Sequence, residues 1–386
     1  MADASIYINY GTNPAAMTEE LMESAGVASL LKPGFRVTIK PNLVVARFAD
    51  GGATTHPEIA EGIIIYLQKH GVRNIKIAEG ASLGVSTARA YDECGYTALS
   101  KKYGVSLVDT KRDKVVSIKS DHFDGMKICE SAYDTDFLIN VPVLKGHCQT
   151  KFTCCIKNLK GLIPDSEKRR YHSTGLTKAI AALGAAIRPR LHVVDSICGD
   201  LDFEEGGSPV DSNRIILGFD QVLLDSYCAS LIGYRPDEIG YLRLAKEYGV
   251  GEYAGAATRV VELNAGEKPR TKRFHSAGAQ AYAPMIDDDG ACSCCYAALV
   301  YALKQAGGYP PRGARGSRDG RASAPGVTGG TRAPDKSADN RIKIGQGFRG
   351  RQLAGIGTGD CASGCERYVK GCPASALDIV EFLNNK

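Results

Sequence analysis

The sequence predicts an α/β protein, a mostly parallel layered sheet with a small C-terminal cysteine-rich domain. Three observations carry that prediction. Over residues 1–265, short and nearly all-apolar runs alternate with stretches of helical period, the pattern of strands covered by helices on both faces. At 386 residues and 44% hydrophobic content, the chain is long enough for one large or two medium globular domains. From about residue 266 the alternation stops, and six of the 13 cysteines fall in that remainder.

The elements follow in chain order. SIYINYG (5–11) reads as a strand and NPAAMTEELMESAGVASLL (13–31) as a helix. RVTIKPN (36–42) is a β-branched strand that stops at Pro41. HPEIAEGIIIYLQKHG (56–71) is helical, with Pro57 in the first turn, where a missing N–H costs nothing. NIKIAEG (74–80) is the next strand, followed by one helix over STARAYDECGYTALSKKYG (86–104), closed by Gly104, and a strand at VSLVD (105–109). KVVSIK and MKICES, within 110–135, predict a hairpin rather than a βαβ unit. DFLINVP (136–142), LHVVDS (191–196) and RIILGFD (214–220) are further strands with helical stretches around them.

Residues 266–386 read as a cysteine-rich, metal-binding tail. It comprises an acidic turn, a cysteine cluster and one helix, then a linker at about 308–340, then strand-like segments and a short helix. The linker is rich in Arg, Gly, Ser and Pro with no hydrophobic period, the composition of a disordered segment. It carries much of the net charge of +5. It lacks aromatic side chains for base stacking, so nucleic acid is not the predicted partner. No apolar run approaches the roughly 18–20 residues of a membrane span. The first residues lack a basic segment followed by an apolar one, so the expected location is cytoplasmic, with no membrane partner.

In a reducing compartment the cysteines are thiols, and clustered thiols read as metal ligands. Cys292 and Cys295 stand in a C-x-x-C spacing with Cys294 inside it. Cys361, Cys365 and Cys372 lie beyond the linker, the last followed by Pro373, and Cys-Pro recurs after the last ligand of ferredoxin-type clusters. The expected ligands are Cys292, Cys295, Cys361 and Cys372, with Cys294 or Cys365 as alternates. Four thiolates suit a 4Fe–4S cluster or tetrahedral zinc. The long, irregular far-side spacing is not the second C-x-x-C of a zinc ribbon, which points to iron–sulfur, with zinc as the alternative cofactor.

A second set of residues follows the strands. Ligands of open α/β sheets bind beyond the carboxyl ends of the strands. Those ends here carry Lys40 and Asn42, Glu79 and Ser82, Lys145 and His147, and Asp195 and Ser196. Thr54, Thr55 and His56 open the helix after the second strand, offering hydroxyls and N–H groups to an anion. The segment CIKNLKGLIPDSEKRRYHSTG adds Lys157, Asn158, Lys160 and His172. This mixture of Lys, His, Asn and Thr predicts an anionic small molecule. Lys40, Asn42, Thr55, His56, Asn158, Lys160 and His172 are the expected binding residues. His147, Lys145 and Glu79 are the expected catalytic ones, His147 because its pKa lies near neutrality. Neither G-x-G-x-x-G nor G-x-x-x-x-G-K-[ST] occurs.

The ordered run VTIKPNLV…TTHPEI, IKIAEG, FLINVPVLKGH, CIKNLKGLIP, YHSTGL and LHVVDSICGD resembles the family called domain of unknown function 362, over roughly residues 35–235. Members are often described as iron–sulfur centre proteins with a ferredoxin-like cluster segment. The resemblance implies the α/β fold and the cofactor, and the tail here looks like a related cluster-binding segment. It departs from the C-x-x-C-x-x-C-x-x-x-C-P run, and the Arg/Gly-rich insertion is foreign to such a tail. The functional expectation is a redox-related 4Fe–4S protein with an anion-binding site at the sheet edge, read as an iron–sulfur-dependent oxidoreductase. The alternatives are a non-enzymatic electron-transfer carrier or maturation partner that docks a redox partner protein, and a zinc-stabilised isomerase or lyase-like enzyme.

Overall fold

The computed structural model describes residues 4–206, 209–268, 279–306 and 341–384, and the expected linker lies outside them. The chain divides into two compact units, Met1–Gln280 and Ala281–Lys386.

The strands of the first unit are β1 (Ser5–Tyr10), β2 (Arg36–Lys40), β3 (Asn74–Glu79), β4 (Ser106–Asp109), β5 (Val115–Ile118), β6 (Met126–Cys129), β7 (Phe137–Asn140), β8 (Lys145–His147), β9 (Lys151–Thr153), β10 (Leu191–Asp200), β11 (Pro209–Gly218) and β12 (Arg259–Glu262). Its helices are α1 (Pro14–Ser24), α2 (Pro57–Lys69), α3 (Thr87–Glu93), α4 (Tyr96–Tyr103), α5 (Glu130–Tyr133), α6 (Cys155–Asn158), α7 (Asp165–Thr174), α8 (Leu176–Ala186), α9 (Gln221–Leu231) and α10 (Gly240–Glu247). Eight strands form one sheet in the order β12-β1-β11-β10-β7-β2-β3-β4. β11 pairs antiparallel with both β1 and β10, and every other neighbouring pair runs parallel. The fold is therefore mixed α/β with a large, mostly parallel sheet. β5 and β6 pair antiparallel as the expected hairpin, and β8 and β9 form a second one.

Successive side chains of a strand point to opposite faces, and both faces are apolar here. Val37, Ile39, Ile77, Phe137 and Ile139 pack with Ile59, Ile63 and Leu67 of α2 and with Leu21 of α1. Ile6, Ile8, Val194 and Ile216 pack on the other face with Ile180, Val222 and Leu242 of α8, α9 and α10. Burial on both faces explains the continuous apolar runs of the strands.

Two helices differ from expectation, each at a glycine. The segment 13–31 is helical only to Ser24, and Gly26, at φ 65°, turns it into a short 3-10 stretch at Val27–Leu30. The helix expected over 86–104 is two. Gly95 at φ 81° ends α3 and opens α4, a left-handed conformation that a side chain disfavours. The break lets Tyr91 and Tyr96 both turn into the core.

In the second unit, β13 (Ile286–Asp288), β14 (Ile342–Ile344), β15 (Leu353–Thr358) and β16 (Cys365–Val369) form an all-parallel sheet in chain order. It is accompanied by α11 (Ser293–Gln305) and α12 (Ala376–Asn384). Leu299, Val300, Leu303, Ile342, Ile344 and Ile379 are among its buried apolar residues. Among the described residues no helix is long and apolar enough to cross a membrane.

Candidate functional site

The parallel strands bring their last residues to one edge, where β2 ends in Lys40, β3 in Glu79 and β7 in Asn140. Lys40 is fully buried beside Glu79, with Nζ 2.7 Å from Oε2. Nζ also donates to the Pro41 carbonyl at 2.6 Å and to Asn158 Oδ1 at 3.1 Å, so all three of its hydrogens are used. Glu79 accepts further hydrogen bonds from the amides of Leu43 and Gly80. These two predicted residues thus brace the strand ends against each other. The brace needs a glycine at 161, where a Cβ would stand 1.9 Å from Glu79 Oε1.

Asn158 extends the network. Its Oδ1 accepts from Asn42 Nδ2 at 2.8 Å, and its Nδ2 donates to Asn140 Oδ1 at 2.8 Å. Asn158 is held there because Asp225 of α9 accepts the first amides of α6, Cys155 N at 2.6 Å and Ile156 N at 3.1 Å. Asn42 Oδ1 accepts from Lys145 Nζ at 3.1 Å, and Thr55 Oγ1 accepts from the Asn42 amide at 2.8 Å. Lys145 donates as well to the carbonyls of Ala53 and Glu204, and burial pulls its pKa down to about 7. Glu79, Lys40, Asn158, Asn42, Lys145 and Thr55 therefore share one connected set of contacts, although they are scattered over the sequence.

His56 belongs to a different pairing. Its Nδ1 lies 2.8 Å from Asp195 Oδ2, which also accepts the His56 amide. Burial works against the charged ring, but the Asp195 charge and hydrogen bond outweigh it and raise the pKa to about 9. This ties the start of α2 to β10.

His147, in the β8–β9 hairpin, faces Glu204, a residue the sequence reading did not single out. His147 Nε2 stands 2.6 Å from Glu204 Oε2, an ion-pair distance, but the approach is too bent for a hydrogen bond. Burial pushes the His147 pKa down to about 4. Burial also opposes the Glu204 carboxylate, yet basic neighbours led by His147 and Lys157 hold its pKa well below the ordinary value. The pair is therefore a neutral imidazole beside an ionised carboxylate. Lys160 Nζ lies 3.3 Å from His172 Nε2, and burial, reinforced by Lys160 and Lys157, holds the His172 pKa well down. The only sequence signal for Glu204 is the acidic pair after β10, which by itself reads as a solvated turn.

Two groups of buried donors in this unit lie close enough to hold a metal ion, with their atoms within 4.8 Å of one another: His147, Cys148 and Glu204, and Cys154, Cys155 and Asp225. In the second group both Asp225 oxygens already accept the amides that begin α6. Burial raises the pKa of the Cys154 and Cys155 thiols, the setting of inert packing cysteines.

In the second unit, Cys292, Cys295, Cys361 and Cys372 line one part-open cavity together with Gly345, Thr358, Gly359 and Gly371. Cys292 caps the start of α11 and Cys295 sits in its first turn, where the helix dipole favours thiolate. Cys361 and Cys372 follow the ends of β15 and β16. Burial, then the Cys292 charge, pushes the Cys295 thiol up to about 12. Arg349 Nη2 lies 3.3 Å from Cys361 Sγ, and Gln346 Nε2 lies 3.9 Å from Cys292 Sγ. Neither Cys294 nor Cys365 lines the cavity. Among the described residues no three of the four lining thiols fall within 4.8 Å of one another. Tetrahedral zinc, with Zn–S near 2.3 Å, would draw its sulfurs to about 3.8 Å apart.

The sequence profile of the family described as domain of unknown function (DUF362) matches residues 37–230, half of the chain. The chain belongs to this family. The matched region holds every residue of the strand-end network and none of the four cavity cysteines. A thylakoid-associated protein from Synechocystis is 25% identical over 260 residues, 64% of this chain and 78% of that protein. Among solved structures, the lactate racemase apoprotein from Thermoanaerobacterium thermosaccharolyticum is similar at TM-score 0.39 and 14% identity, covering 60% of this chain and 57% of that one. A structural-genomics protein from Thermotoga maritima is similar at TM-score 0.38 and 13% identity, covering 62% and 59%. Likenesses of that size carry no weight for chemistry.

Proposed function

We propose that this is a redox-related iron–sulfur protein in which Cys292, Cys295, Cys361 and Cys372 ligate a 4Fe–4S cluster, while the family domain binds an anionic small molecule at the carboxyl edge of its sheet. The observation that carries the first part is the cavity: four thiols meet there from a helix start and two strand ends, and the remaining two cysteines of the unit stay away. Their spread favours a polynuclear centre over mononuclear zinc. When bound, such a cluster supplies one-electron chemistry. The chain's own residues hold it, and Arg349 donates to the Cys361 sulfur. A reducing compartment such as the cytoplasm suits this reading, since none of the thirteen cysteines is in a disulfide.

The second part rests on the excess of basic groups, Lys145, Lys157, Lys160, His147 and His172, around Glu204. It makes an oxidoreductase the preferred reading over a pure electron carrier. Anaerobically purified protein is expected to be brown, with the broad absorption near ~400 nm of thiolate-ligated iron. Cys294→Ser and Cys365→Ser should retain that band, and Cys361→Ser should lose it. Colourless protein carrying one equivalent of zinc would overturn the cluster.

A further inference from the structure

Two buried imidazoles of the family domain are each locked in one tautomer by their neighbours. A neutral imidazole has one donor and one acceptor nitrogen. His147 Nδ1 accepts the amide hydrogens of Gln149 at 3.0 Å and Thr150 at 3.2 Å, so its own hydrogen sits on Nε2. His172 Nε2 faces the Lys160 ammonium at 3.3 Å, which can only donate, so its hydrogen sits on Nδ1. The His172 Nδ1–H has no acceptor among the described residues, and the His147 Nε2–H meets only the bent approach of Glu204. Buried donors in native proteins are nearly always satisfied, so each such N–H calls for an acceptor.

The two rings share surroundings. Lys157, Lys160 and Glu204 act electrostatically on both, and His147 acts on His172. His192 shows what separates them from an ordinary core histidine. Its Nδ1 is paired with Asn140 and its Nε2 also lacks a partner, but burial is the one influence on it and no charged group attends it.

We propose that His147 Nε2–H and His172 Nδ1–H form a donor pair for a small oxyanion, a carboxylate or a phosphate, whose charge is balanced by Lys157 and Lys160. The assignment rests on the anion-site reading above and supplies its hydrogen-bond donors. It also decides against a divalent cation on His147, Cys148 and Glu204. A metal on Nε2 would need the ring hydrogen on Nδ1, where two amide hydrogens already point.

The test is ¹⁵N NMR of the imidazole nitrogens in the full-length protein, titrated separately with inorganic phosphate, acetate and zinc. The free protein should show protonated Nε2 at His147 and protonated Nδ1 at His172. At least one anion should saturate and move both ring signals, and His172→Phe should weaken that binding about tenfold or more. A response to phosphate alone assigns a tetrahedral oxyanion, and a response to acetate alone a planar one. Anion binding that moves neither ring overturns the imidazole pair and leaves the anion site standing. No response to either anion overturns both, and zinc bound through His147 Nε2 overturns the tautomer argument.

Discussion

Replacing Lys40 with Met should destabilise the family domain more than removing both charges of its ion pair. Lys40 and Glu79 are 0% and 3% exposed and 2.7 Å apart. Met fills most of the volume of the Lys side chain, so the cavity term is small and the cost is electrostatic. The Glu79 carboxylate keeps only the Leu43 and Gly80 amides. Breaking a buried pair from one side costs about 3–5 kcal/mol, a large part of the roughly 5–15 kcal/mol that holds a typical protein folded. Lys40→Met/Glu79→Gln leaves neither charge of the pair, and the glutamine carbonyl oxygen still accepts one of the two amides. The double variant's loss should be nearer ~1–2 kcal/mol. Urea unfolding at pH 7, followed by circular dichroism, measures both variants. A double variant no more stable than the single, or a single variant losing under ~1 kcal/mol, would refute the argument that Glu79 depends on Lys40 for its charge.

The other expectations concern three further positions. The His56–Asp195 pair raises a histidine pKa from 6.5 to about 9, so its stabilisation is fully present below about pH 6.5 and fades as pH rises through about 9. Thermal midpoints should fall over that window by the equivalent of about 3 kcal/mol, and His56→Gln should flatten the profile. Gly161→Ala would drive a methyl to 1.9 Å from Glu79 Oε1 and 2.6 Å from Lys40 Nζ, and should cost at least ~1–3 kcal/mol in the same unfolding assay. On the cluster reading, Arg349→Met removes a cation and a donor from the Cys361 sulfur and should lower the reduction potential in a redox titration. An unchanged potential would show that the guanidinium does not act on the centre.

Much of the fold was legible because the deciding forces are local. The apolar runs of β2, β3 and β7 announce burial on both faces, and a periodic pattern is visible without knowing any neighbour. The β5–β6 hairpin was readable for the same reason. The break at Gly95 was not, since glycine in a helical run is tolerated in most contexts, and here the packing of Tyr91 and Tyr96 decides. At the strand ends, residue type and position announced a polar edge. Whether a lysine there braces or binds depends on its partners, and those came from residues as distant as Asn158 for Lys40 and Glu204 for His147.

The cysteines divide along the same line. Spacing along the chain marks Cys292 and Cys295 as a pair, because three residues span one helical turn and bring two thiols to one side. Of the far group, Cys361 and Cys372 line the cavity, whereas Cys365 is buried at the start of β16, near Gly357 on β15. That choice follows from the parallel pairing of β15 and β16, a long-range contact that no local pattern encodes. Local periodicity thus determined the elements and the kinds of residue at their ends. Tertiary pairing decided which of those residues satisfy one another and which are left with a buried donor unmet among the described residues, since burial and hydrogen-bond satisfaction belong to the assembled fold.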